Sequence, residues 1–185
     1  MKHVLAALLV LLPAAPAAAG PAQIVLIRHG EKPPEGNGLD VPGQERAAAY
    51  VAYFQIRPEM LQFGKPVAIY AQGAKSAEKS QRPVQTVKPL ADALKLPVID
   101  KYTREEFAKM VQEIQNNRAY DGKMVLICWE HHVILNIAKA FGARDLPERW
   151  HGHVFDRSWV LTFASDGSVG FRNLPQRLMF GDSKE

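Results

Sequence analysis

Two stretches of the chain are apolar at every position and then stop abruptly on polar side chains. Ile24-Val25-Leu26-Ile27 ends on Arg28-His29-Gly30-Glu31, and Met124-Val125-Leu126-Ile127-Cys128 ends on Trp129-Glu130-His131-His132. Short unbroken runs rich in β-branched residues predict strands buried on both faces of a parallel sheet. Pro66 to Tyr70 predicts another such strand, and Pro97-Val98-Ile99 a short edge strand.

Between these runs the apolar spacing becomes helical. Pro42 suits a first helical turn, and Ala47, Ala48, Tyr50, Val51 and Phe54 form a face that should end near Arg57-Pro58. Val84, Val87, Leu90 and Leu94 predict a second helix. A capping box of Thr103 and Glu106 introduces a third, carrying Phe107, Met110, Val111 and Ile114. A fourth runs through Ile134, Ile137, Ala138 and Phe141. Ser158 to Phe163, the turn signal Asp166-Gly167 and Val169 to Phe171 predict a hairpin. The expected fold is α/β: a three-layer α/β/α sandwich with a mostly parallel central sheet and a C-terminal hairpin or antiparallel edge.

The first residues follow a different pattern. Lys2 and His3 precede an apolar stretch from Val4 to Leu12, and an alanine-rich segment leads to Ala17-Ala18-Ala19. That is the layout of a secretory signal peptide, too short to span a bilayer, so residues 1–19 are expected to be a leader and 20–185 a single domain of an exported, periplasmic or secreted protein. No later stretch is apolar for long enough to cross a membrane. With 185 residues, 47% hydrophobic and 23% charged, the chain has material for one full core. Its formal charge is +4, or +3 without Lys2, with no block of like charges. A nucleic-acid partner is therefore not expected, whereas a small anionic substrate suits the balance. Cys128 is the only cysteine, which excludes an intramolecular disulfide.

In open α/β sheets the ligand crevice lies at the carboxyl ends of the strands. Arg28 there offers a rigid fork of donors for an anion, His29 a base or nucleophile near neutral pH, and Gly30 a close backbone approach. The segment after Glu31 carries four prolines or glycines in its first eight residues and reads as a surface loop beside the site, with the composition of a lid. Arg82 falls in the first turn of its helix, where a cation opposes the macrodipole; an anion bound there would resolve the conflict. His151 and His153 are metal-ligand types without further ligands at a recognisable spacing, so they read as a surface loop.

These residues carry a resemblance. Arg28-His29-Gly30-Glu31 after a buried strand resembles the signature of the histidine phosphatase superfamily, the phosphoglycerate mutase-like proteins. Leu39, Gly43 and Arg46-Ala47 are similar to the family's first helix. Ser80-Gln81-Arg82-Pro83-Val84-Gln85-Thr86 resembles its Ser…Arg…Gln-Thr element, though the preceding loop is longer and lysine-rich, with Lys75 and Lys79. The second histidine element more commonly reads Ser-His-Gly, and a gap-free alignment puts Glu130 on that histidine. His131 is preferred here, because a Trp-Glu-His variant followed by Ile134 is similar to one secreted branch; His132 is the substitute. The ending PQRLMFGDS resembles the tail of that branch, so the resemblance runs from Ile24 to about Asp182.

The resemblance implies phosphoryl transfer without metal or cofactor. His29 would be the transiently phosphorylated nucleophile, Arg28 and Arg82 the phosphate clamps, and His131 a hydrogen-bonding partner of the phosphoryl group. Glu31, Glu130 and the Glu105-Glu106 pair are candidates for the acid that protonates the leaving oxygen, with Glu130 ranked first. The expected function is phosphomonoester hydrolysis on a small or envelope-associated substrate. The alternatives are a phosphomutase or phosphohistidine-protein phosphatase of the same fold, and a phosphate-binding module without strong turnover.

Overall fold

The computed structural model describes residues 20–76 and 79–183; the expected leader lies outside them. Six strands form one sheet in the order β3-β2-β4-β1-β5-β6. They are β1 (Gln23–Arg28), β2 (Pro66–Ala71), β3 (Val98–Ile99), β4 (Met124–Trp129), β5 (Arg157–Phe163) and β6 (Val169–Pro175). The first four are mutually parallel, and β5 and β6 add an antiparallel hairpin beside β1. Among the described residues there are four α-helices: α1 (Val41–Ile56), α2 (Arg82–Leu94), α3 (Phe107–Asn116) and α4 (His131–Ala140).

All six residues of β1 and all six of β4 are buried, as continuous apolar runs require when helices cover both faces. Successive side chains point to opposite faces, and the core divides accordingly. Ile24 and Leu26 pack with Met110, Ile114, Ile134 and Ile137 from α3 and α4. Val25 packs with Tyr50, Phe54, Val87 and Leu90 from α1 and α2. These two apolar layers make the predicted α/β/α sandwich.

Local chemistry sets the helix boundaries. The Asp40 carboxylate accepts from the Gly43 amide at 2.8 Å and caps α1, with Pro42 in its first turn. Thr103 and Glu106 form the predicted capping box around a single 3-10 turn, Arg104–Glu106, that leads into α3. Glu130 caps α4 by accepting from the His132 amide at 3.2 Å. Two details differ from expectation. Ala48 is exposed, and the core face of α1 takes in Tyr53 and Arg46 instead. The return strand β6 runs on to Pro175, because its outer residues Arg172 and Asn173 face solvent and so lack an apolar signal.

Candidate active site

The register of β1 against β4 decides what meets at the sheet's edge. Arg28 pairs with Trp129, and the His29 amide donates to the Trp129 carbonyl at 3.3 Å, so the two strands end level. His29 and Glu130 then leave the sheet side by side, and His131 opens α4. From β2, the Gln72 amide donates to the Cys128 carbonyl at 3.0 Å, while its side-chain oxygen accepts from the Glu130 amide at 3.2 Å. Three parallel strands thus deliver their exits to one crevice.

His29 is only 5% exposed. Its Nδ1 lies 2.8 Å from the Gly30 carbonyl oxygen. A carbonyl can only accept, so Nδ1 carries the proton and Nε2 keeps the lone pair. Burial lowers the imidazole to about 4; the Gly30 hydrogen bond opposes this, and the nearby Arg28, Arg82 and His131 add to the lowering. The ring is neutral throughout the physiological range. Burial is the largest of these causes, and the arginines add to it.

The Gly30 peptide is itself anchored. Its amide donates to Thr86 Oγ1 at 2.8 Å, and that hydroxyl donates to the Arg82 carbonyl at 2.7 Å. Thr86 is fully buried. A Cβ added to Gly30 would lie 2.9 Å from the Gly43 carbonyl oxygen, so the turn after His29 sits flush against the start of α1.

Arg28 and Arg82, the expected phosphate clamps, are each held by backbone oxygens. Arg28 Nη1 donates to the Gly152 and Val154 carbonyls at 2.6 and 2.9 Å, and its guanidinium carbon lies 3.8 Å from the centre of the Phe155 ring. Burial lowers Arg28 to about 10, partly offset by Glu130 and Glu31. Arg82 donates through Nε to the Gly38 carbonyl at 3.0 Å and through Nη2 to that of Gly36. The expected conflict between Arg82 and its helix dipole is therefore met by loop carbonyls, which supply the negative end of a dipole. The same contacts fasten the glycine-rich loop to α2, aided by the Gln81 amide on the Asn37 carbonyl at 2.9 Å.

His131, the first residue of α4, is close enough to His29 to bear on it electrostatically. Its ring is 3.9 Å from that of His132, and burial, with Arg28 next, lowers it to about 4. His131 Nδ1 and Arg28 Nε are buried without a hydrogen-bond partner among the described residues. The Gln23 amide and the Trp129 indole nitrogen are unsatisfied in the same way, so these unpaired atoms are not confined to the crevice.

The candidate acids separate clearly. Glu31 takes three hydrogen bonds from Arg46, which is 2% exposed and also pairs with Asp182 at 2.7 Å. That carboxylate is a structural clasp. Glu105 pairs with Lys75 at the surface, and Glu106 caps its turn. Glu130 accepts from Arg104 Nε at 2.8 Å, and its other oxygen is 3.9 Å from His131 Nδ1. It is the candidate that bears on both Arg28 and His131.

No protein-family model and no curated protein sequence matches the chain. Solved structures do. A protein histidine phosphatase, SixA, complexed with tungstate superposes with a TM-score of 0.55 at 13% identity, covering 83% of this chain and 97% of its own. This is the histidine phosphatase fold. A phosphoglycerate mutase from Plasmodium falciparum gives 0.55 at 16% identity over 85% of this chain and 92% of its own. A protein named as a phosphohistidine phosphatase SixA, from Agrobacterium tumefaciens, gives 0.52 at 17% identity over 83% and 98%.

Within that fold, sequence reasoning missed the segment from Gly152 to Phe155. His151 and His153 are exposed as read, but the residues beside them cover Arg28. Val154-Phe155, an apolar pair just after His151-Gly152-His153, was the available signal. Thr86 was visible only as part of a motif, without its role as the anchor of Gly30.

Proposed function

We propose that this chain is a phosphomonoester hydrolase that works through a phosphohistidine on His29, without metal, acting on a small or envelope-associated anionic substrate outside the cytoplasm. The observation that carries the reading is the Nδ1–H of His29 bound to the Gly30 carbonyl, which leaves the Nε2 lone pair free beside two arginines and a second histidine.

The chemistry follows from that lone pair. His29 Nε2 attacks phosphorus, a P–N bond forms, and the ester P–O bond breaks. The leaving oxygen takes a proton from Glu130. Glu130, now a carboxylate, takes a proton from water as the water attacks the phosphohistidine; the P–N bond breaks, inorganic phosphate departs, and His29 and Glu130 are back in their starting states. Arg28 and Arg82 neutralise the equatorial oxygens, and His131 hydrogen-bonds one of them. For both arginines this means exchanging backbone carbonyls for phosphate oxygens, a swap that leaves their donor count unchanged.

Hydrolysis of a panel of phosphate esters by the purified protein tests the reading. Turnover should persist in chelator and vanish in His29→Ala; an unimpaired His29→Ala enzyme would sink it. A phosphate-binding module without turnover is the second reading, motivated by Trp129-Glu130-His131-His132 standing where the resembled family more commonly has Ser-His-Gly. It predicts phosphate binding with no ester hydrolysis at all.

A further inference from the structure

We infer that Glu130, His131 and His132 form a binding site for a divalent transition-metal ion of zinc's class, and that the bound ion inhibits by taking Glu130 away from the leaving group. The inhibition rests on the phosphatase reading of the same crevice; the binding does not.

The three donors are consecutive in the chain, and consecutive side chains on a helix diverge by about 100°. Here they converge. Glu130 is the extended cap residue before α4, and His131 and His132 are the first two helical residues. This junction brings the two imidazole rings to 3.9 Å of each other and Glu130 Oε2 to 3.9 Å from His131 Nδ1. One donor atom from each residue lies within 4.8 Å of the other two, which no other three His, Cys, Asp or Glu side chains achieve among the described residues. Zinc holds nitrogen and carboxylate oxygen at about 2.0–2.2 Å, so two of its tetrahedral ligands lie roughly 3.4 Å apart. The Glu130–His131 pair is close to that spacing already, and the exposed His132 ring closes the remainder by rotating.

The donor atoms are available. His131 Nδ1 makes no hydrogen bond with the described residues. Arg104 holds Glu130 Oε1 at 2.8 Å, whereas Oε2 accepts only from the His132 amide, at 3.2 Å, and keeps a second lone pair. Two imidazoles and one carboxylate are a donor set that zinc takes with a fourth position left for water, while magnesium and calcium call for oxygen. Charge limits the strength. Arg104 and Arg28 bear on the same residues, and the positive end of the α4 dipole adds to them. The ion therefore binds reversibly, as an effector and not as a structural part.

Its effect follows from Glu130. A carboxylate that coordinates zinc carries no proton, so the oxygen expelled from phosphorus leaves as an anion. A phenoxide suffers from this; p-nitrophenolate, which departs readily as the anion, does not.

Calorimetric titration of zinc into the purified protein, freed of metal beforehand, tests the site. One ion per chain should bind, and magnesium should not. His132→Ala should weaken zinc binding at least tenfold, and the double variant His151→Ala/His153→Ala should leave it intact. Saturating zinc should lower kcat/KM, which reports the phosphorylation step alone, by about a hundredfold for phenyl phosphate and by less than about threefold for p-nitrophenyl phosphate. Measured against its own zinc-free rate, His132→Ala should resist the same zinc concentration. Absence of zinc binding, binding that His132→Ala leaves intact, its loss in the His151/His153 variant instead, or equal inhibition of both esters overturns the inference. Failure of the phosphatase reading is seen separately: neither ester is hydrolysed while zinc still binds with this dependence on His132, which leaves the ion site standing and removes only its effect on turnover.

Discussion

Replacing Thr86 with valine removes two hydrogen bonds without changing the shape of the side chain. The Gly30 amide loses its acceptor in a fully buried setting, and the bond to the Arg82 carbonyl goes with it. An orphaned buried amide costs about 1–3 kcal/mol, and at about 2–4 °C per kcal/mol for a chain of this size the midpoint of unfolding should fall by roughly 2–12 °C. The larger consequence is catalytic. Gly30 presents the carbonyl that fixes the tautomer of His29, so a loosened Gly30 peptide misplaces Nε2. A displacement of about 1 Å costs on the order of a hundredfold in rate. Thr86→Ser is the control: it keeps both hydrogen bonds and loses one methyl, worth about 1 kcal/mol. Thermal unfolding and steady-state hydrolysis of a phosphate ester, measured on both variants, separate stability from positioning. The serine variant should be mildly destabilised with kcat near that of the unaltered protein, and the valine variant should lose kcat by at least tenfold. A valine variant that keeps its kcat, or a serine variant that falls as far, would refute the reasoning.

Other consequences concern charge. His29 stands at about 4 in the fold against 6.5 in an unfolded chain. The unfolded state therefore binds more protons between these values, and stability is complete above pH 6.5 and lost as the pH falls toward 4, by about 3 kcal/mol from His29 alone. Denaturant titrations across that window should show the slope, and it should shrink in His29→Gln. The acid limb of kcat/KM should likewise lie near pH 4 rather than 6.5. Arg46→Ala strands the Glu31 and Asp182 carboxylates and should cost about 3–5 kcal/mol, read by chemical denaturation, with Arg46→Lys recovering little because it lacks the fork that holds both partners. Glu130→Gln should slow esters of poorly departing alcohols far more than p-nitrophenyl phosphate; an equal effect on both would remove Glu130 from the acid role.

The parts of this structure that sequence makes legible are those written in contiguous side chains. β1 and β4 announce themselves because four or five neighbouring apolar residues admit few other placements, and the residues that follow them must then share one crevice. The helices were visible through Val87 and Leu90 or Met110 and Ile114, whose spacing is their packing. What escaped depends on distant partners or on backbone atoms. Arg28 is held by the carbonyls of Gly152 and Val154, which are 124 and 126 positions away and carry no residue identity. Glu31 reads as a catalytic acid when seen beside His29, yet Arg46 of α1 claims it, and the same guanidinium is shared with Asp182 of the C-terminal segment. Ala48 was misplaced because a run of three alanines leaves the helical face undetermined by a residue in either direction, and the bulkier Tyr53 settles it.

The central claim is a covalent bond between phosphorus and His29, and trapping it is the most direct test. A radiolabelled phosphate ester, quenched in base during turnover, should leave about one label per active chain that is stable to alkali, released by acid and mapped to the peptide containing His29. His29→Ala should carry none. Turnover of the ester with no acid-labile label, or a label that persists in His29→Ala, would contradict the account.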